Sequence, residues 1–145
     1  MATENQNSDR PVLYFDDLRV GQRVVSGTYL LDEAQIIAFA SQYDPQPFHT
    51  DPEGATNSLF GELVASGWHT AAITMRLMVD SGLPIAGGHI GVGVEIAWPR
   101  PTRPGSVLRV ESEIIDLTPS RSRRTAGWPP SETRRSTTAE RLCRS

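Results

Sequence analysis

The chain of 145 residues is 38% hydrophobic and 21% charged, with 12 Gly, 11 Pro and a formal charge of −3, which fits one soluble domain with a core and excludes collagen, coiled-coil and wholly disordered chains. No apolar run approaches the roughly 18 to 20 residues of a membrane span, and the polar MATENQNSDR start lacks the apolar stretch of a secretory signal, so a cytoplasmic protein is expected. One Cys, at position 143, can form neither an internal disulfide nor a thiolate metal cluster, which leaves Asp, Glu, His, Ser and backbone groups to carry any chemistry.

In chain order, residues 1–11 read as a polar arm. Val12-Leu13-Tyr14-Phe15 is apolar but short, and Asp16 to Gly21 reads as a turn into a β-branched, moderately alternating strand from Arg23 to Leu30. A helix starts at Asp32, which caps the following amides, with Gln35 at the capping-box position and Ile36, Ile37, Phe39 and Ala40 on the apolar side. It ends near Tyr43, because Pro45 and Pro47 lack amide donors and turn YDPQPFHTD into a stiff loop. Asp51-Pro52 opens a short helix to about Leu59, closed by Phe60-Gly61.

The run from Gly67 to Asp80 is apolar on nearly every side, as expected of a buried helix, and Gly82 and Pro84 stop it. Two strands are expected next. His89 to Trp98 puts Ile90, Val92, Val94 and Ile96 on one face and small residues on the other, and Val107 to Ile115 has a charged outward face. This order gives an α+β domain over residues 12–117, a helix wrapped by a mainly antiparallel sheet. Three strands are too few to enclose that helix, so further strands or a partner subunit must supply the cover.

Residues 1–117 hold 7 Arg against 15 Asp and Glu, net −8, whereas residues 118–145 hold 7 Arg against 2 Glu, net +5. The latter stretch has Trp128 and Leu142 as its only large apolar groups and is expected to be poorly ordered, with no strand in it.

The chemistry-bearing segment is the proline-stiffened loop that holds Asp44 and His49 five residues apart. A carboxylate can orient a water molecule while a neutral imidazole accepts its proton. Downstream, Ser66-Gly67 opens the buried helix, whose free amides and positive dipole end suit an oxyanion. A metal set of Asp44, His49, Asp51 and His69 has no recognised ligand spacing, so no metal is expected. His69 and His89 read as structural, and Cys143 as incidental. The glycines of residues 87–93 do not fit a nucleotide-binding GxGxxG, and an acidic body with an Arg-rich tail that has no aromatic ladder beyond Trp128 argues against nucleic acid.

YDPQPFHTD, FGELVASGWHT and RPGSVL together resemble the MaoC-type (R)-specific enoyl-CoA hydratases over about residues 12–117. The resemblance implies a hot-dog fold, an antiparallel sheet around a long central helix, and hydration of trans-2-enoyl-CoA to (3R)-3-hydroxyacyl-CoA or the reverse. It implies Asp44 and His49 as the catalytic pair and Ser66, Gly67 and Trp68 around the thioester oxygen. Tyr43, Phe48 and Phe60 would line the substrate pocket. No cofactor beyond the coenzyme A thioester substrate, and a homodimer, are implied. The family's loop usually has Gly where this chain has Tyr43 and Asn where it has Gln46.

The family also finishes with two further strands, which residues 120–145 do not resemble. Codons permitted for residues 124–145, read one frame over, can spell an alternating hairpin, so a shifted reading frame is the expectation for the C-terminus. Two rival readings stand beside the hydratase: a hot-dog thioesterase, which would direct the same water at the thioester carbonyl, and a catalytically impaired acyl-CoA-binding or subunit module.

Overall fold

The structure, a computed structural model, describes residues 11–91, 93–118 and 135–144. A 3-10 turn at Phe15–Asp17 leads into β1 (Arg23–Leu31), followed by α1 (Glu33–Tyr43), α2 (Pro47–Thr50), α3 (Pro52–Ala55), α4 (Gly67–Ser81), β2 (Ser106–Thr118) and β3 (Arg135–Arg144). The strands form one antiparallel sheet in the order β1-β2-β3.

β2 is the organising strand. Its alternation points Leu108, Val110, Ser112 and Ile114 inward, all buried. Leu108 and Val110 join Leu31 of β1, Ile36 of α1 and Ile73, Leu77 and Met78 of α4 in the main core, while Ile114 packs with Leu18 and Leu83 at the other end. β1 carries one extra residue between Val25 and Thr28 relative to β2, a bulge that moves its inward side from Val24 to Tyr29 and Leu31. Ser26 spans the irregularity, its Oγ accepting from the Val110 amide at 2.8 Å and donating to the Gly27 carbonyl, and the Gly27 amide donates to Ser81 Oγ at 2.7 Å. The bulge thus ties the sheet to the end of α4.

Four expectations are corrected. First, residues 89–98 form no strand among those described: Ile90 and Val94 are 81% and 80% exposed and no sheet strand lies alongside them. Alternation gives a segment two faces but does not supply a hydrogen-bonding partner, and Gly91 and Gly93 add no side-chain packing. Second, Arg135–Arg144 is a strand paired along β2, from Leu108↔Arg144 to Thr118↔Arg135. Ladder bonds are made by backbone groups, so a segment with Leu142 as its one large apolar residue can still occupy an open edge, and Thr137 and Thr138 favour extended backbone. The rest of the expected poorly ordered tail, residues 119–134 and 145, and residues 1–10 of the N-terminal arm, lie outside the described residues.

Third, the 45–50 stretch is not all loop. Pro47 sits at the first helical position, where its missing amide costs nothing, and a single turn runs to Thr50, while the next helix stops at Ala55 instead of Leu59. Fourth, α4 is amphipathic rather than enclosed. His69, Thr70, Ile73, Leu77 and Met78 are buried, but Trp68, Ala72, Met75 and Val79 form an exposed stripe, leaving the helix open on the side away from the sheet.

Candidate functional site

Asp44 is held at the C-terminus of α1. Its amide donates to the Ala40 carbonyl at 2.9 Å, and Pro45 forbids a further helical turn. Two groups fix the carboxylate: Ser66 Oγ donates to Oδ2 at 2.7 Å and Gln46 Nε2 donates to Oδ1 at 2.7 Å. These donors, Ser66 first and Gln46 next, hold the Asp44 carboxyl below its ordinary pKa, against a smaller opposing effect of burial and with His49 adding least. The side chain is therefore an anion at neutral pH.

His49 follows one helical turn later and is buried. Its Nδ1 lies 2.6 Å from the Val64 carbonyl oxygen. A carbonyl only accepts, so Nδ1 carries a proton, and in the neutral form of the ring Nε2 presents its lone pair. The Leu63-Val64-Ala65 segment that supplies this carbonyl is itself pinned, Val64 N–H donating to the Phe48 carbonyl and Ala65 N–H to the Thr102 carbonyl. Nε2 stands 3.4 Å from Asp44 Oδ2. Two acceptors at that separation make no strong bond to each other, but both can accept from one water molecule.

Ser66 is fully buried and caps α4, its Oγ accepting from the Trp68 amide at 3.2 Å while its hydroxyl proton goes to Asp44. Of the trio Ser66, Gly67 and Trp68, the hydroxyl and the Trp68 amide are thus committed, and the Gly67 amide has no partner among the described residues. The sequence suggests Ser66 as part of an oxyanion cradle; its position as the donor that fixes Asp44 depends on a contact 22 residues away in the chain, which no local pattern reveals.

Phe48 meets His49 edge-on with ring centroids 4.6 Å apart, and Phe60 packs on Phe48 at 5.3 Å. Tyr43 stands apart, 68% exposed and resting on Phe39. His69 is buried with its ring stacked on Phe39 at 4.4 Å, and burial lowers its pKa, while His89 Nε2 lies 3.2 Å from the Leu83 carbonyl oxygen. Among the described residues, no three His, Cys, Asp or Glu side chains gather as a metal set, and no helix is long and apolar enough to cross a membrane.

One contact was not legible in the sequence at all. The indole of Trp98 lies directly on Gly67: a β-carbon there would fall 2.6 Å from Trp98 Cε2 and 2.8 Å from Cδ2.

Comparison with known proteins identifies the fold and the family. A structure of a MaoC-like dehydratase from Rhodospirillum rubrum is 50% identical, with a TM-score of 0.82, over 91% of this chain and 86% of that one. The unliganded R-hydratase PhaJ1 from Pseudomonas aeruginosa is 29% identical, TM-score 0.62, over 74% of this chain and 68% of its own. A 3-hydroxybutyryl-CoA dehydratase from Methylorubrum extorquens is 28% identical over 113 residues, 77% of this chain and 70% of that protein. The antiparallel sheet and long helix are those of the hot-dog fold seen in these hydratase neighbours. With residues 11–127 matching the MaoC like domain, the chain belongs to the MaoC-like dehydratase family.

Proposed function

We propose that this chain adds water across the double bond of a trans-2-enoyl-CoA to give a (3R)-3-hydroxyacyl-CoA, or runs the reverse dehydration. The observation that carries this reading is the 3.4 Å separation of His49 Nε2 and Asp44 Oδ2, with the imidazole tautomer fixed by the Val64 carbonyl. A water between them donates one proton to each acceptor, leaving a lone pair free for attack. His49 then takes the proton as general base and Asp44, kept ionised by Ser66 and Gln46, orients the water and steadies the imidazolium that forms.

The Gly67 amide supplies the second half of the chemistry. A thioester carbonyl oxygen accepting from it, at the positive end of the α4 dipole, makes C3 electrophilic and stabilises the enolate that develops at C2. Water adds at C3, and its proton, relayed through the pair, is delivered to C2. These steps use side chains and backbone of the chain itself. The exposed apolar residues Met75 and Val79 of α4 fit a second copy of the chain, giving a homodimer.

The family membership and the names of its dehydratase and R-hydratase relatives support the reaction class, and the similarity to a 3-hydroxybutyryl-CoA dehydratase supports a short acyl chain. Incubation with crotonyl-CoA, followed by chiral separation of the product and a free-thiol assay, tests the proposal. (3R)-3-hydroxybutyryl-CoA without thiol release is expected. Release of free CoA would instead mark the water as aimed at the thioester carbonyl, a thioesterase, and binding without either product would mark a binding module.

A further inference from the structure

Gly67 has an ordinary negative φ, so glycine is required there for space and not for conformation. The space is filled by Trp98, 31 residues on, whose indole occupies the volume any side chain at 67 would take, three of its ring atoms lying within 3.0 Å of where a β-carbon would be. Trp68, the next residue on α4, meets Trp98 edge-on, ring centroids 5.6 Å apart and planes at 74°. Burying two indoles completely would remove a large apolar area from water, yet these remain 58% and 49% exposed. A wall of aromatic surface therefore borders the Gly67 amide, which has no partner among the described residues.

We propose that Trp98 is a specificity-determining residue that selects thioesters unbranched at C2. The inference rests on the hydratase reading for the position of the carbonyl. An oxygen accepting from the Gly67 amide at about 2.9 Å brings the carbonyl carbon and its two neighbours, C2 and sulfur, against whatever flanks that amide. On the side of the Gly67 α-carbon the flank is the indole plane of Trp98. A hydrogen on C2 fits beside it; a methyl group there collides with a ring that Gly67 behind it prevents from retreating. Pro99 and Pro101 restrict the backbone that carries the ring, so a compensating shift is resisted. One methyl group admitted or refused by an apolar wall changes selection by about tenfold or more.

The test separates binding from turnover. By calorimetric titration, the full chain is expected to bind butyryl-CoA about tenfold more tightly than isobutyryl-CoA, its 2-methyl isomer. Trp98→Ala should bring the two within twofold, and Trp98→Phe, which keeps a smaller ring and protects folding, should fall between. The crotonyl-CoA to tigloyl-CoA ratio of kcat/KM should collapse in the same order, a change that a merely structural loss would not produce because it lowers both rates together. An unchanged isomer ratio in folded Trp98→Ala and Trp98→Phe, or no binding of either thioester by the unaltered chain, overturns the proposal. Trp98-dependent selectivity in binding without hydration of crotonyl-CoA would support it and overturn the hydratase reading instead.

Discussion

Removing the Ser66 hydroxyl tests how the site is held. Ser66→Ala deletes a 2.7 Å bond to the ionised Asp44 and the 3.2 Å acceptor of the Trp68 amide, at a fully buried position. A hydrogen bond to a charged group contributes about 1.5–3 kcal/mol, and an N-cap about 0.5–2 kcal/mol. Because one hydroxyl makes both, the losses overlap, and a combined loss of roughly 2–3 kcal/mol is expected. For a domain of this size that lowers Tm by roughly 6–12 °C in a circular-dichroism melt.

The same substitution removes the largest cause of the low Asp44 pKa, so that pKa rises towards its ordinary value. Asp44 must be ionised to orient water, so the acidic limb of the kcat/KM profile moves to higher pH in the variant. The stability effect has a matching sign. A carboxyl whose folded pKa lies below its unfolded value of about 3.9 stabilises the fold above that pH and ceases to as pH falls through the folded value. The stability gap between the two proteins should therefore be widest near neutrality and narrow in acid. An acidic limb that stays in place, with a Tm loss under about 2 °C, would refute the role given to Ser66.

Other outcomes follow from the fold. Ile114→Ala, at a fully buried position beside Leu18 and Leu83, should cost about 2–5 kcal/mol in urea unfolding. Ser26→Ala removes the acceptor of the Val110 amide at the β1 bulge and should cost about 1 kcal/mol, with crotonyl-CoA turnover unchanged per folded molecule. Val79→Asp places a charge in the exposed apolar stripe of α4 and should convert a dimer to a monomer in light scattering, with the monomer's own melting little changed.

Local chemistry was the legible part of the sequence. The Asp32 and Gln35 capping box is present as read, Gln35 N–H donating to Asp32 Oδ1 at 2.8 Å and Asp32 N–H to Gln35 Oε1 at 2.9 Å, because both partners lie within one turn. The alternation of residues 107–115 gave β2, since one face of that strand meets the core. Asp44 and His49 were legible as a pair because the prolines between them fix their separation.

What was not legible depends on partners far away in the chain or on backbone groups. Residues 89–98 alternate as well as β2 does, but periodicity does not supply a neighbour. Residues 135–144 show no apolar alternation yet pair by their backbone. The Val64 carbonyl that sets the His49 tautomer has no signature in residue type, and the fit of Trp98 to Gly67 joins two positions whose separate reasons for being Trp and Gly are invisible in isolation.

The central claim is that Asp44 and His49 activate water for addition to an enoyl thioester. The most direct measurement follows the loss of enoyl-thioester absorbance from crotonyl-CoA with the unaltered chain and with Asp44→Asn, which keeps the shape of the side chain and removes its charge. Saturable turnover that falls at least about 100-fold in the variant is the predicted result. Equal rates in the two proteins, or no loss of absorbance with either, would contradict the account.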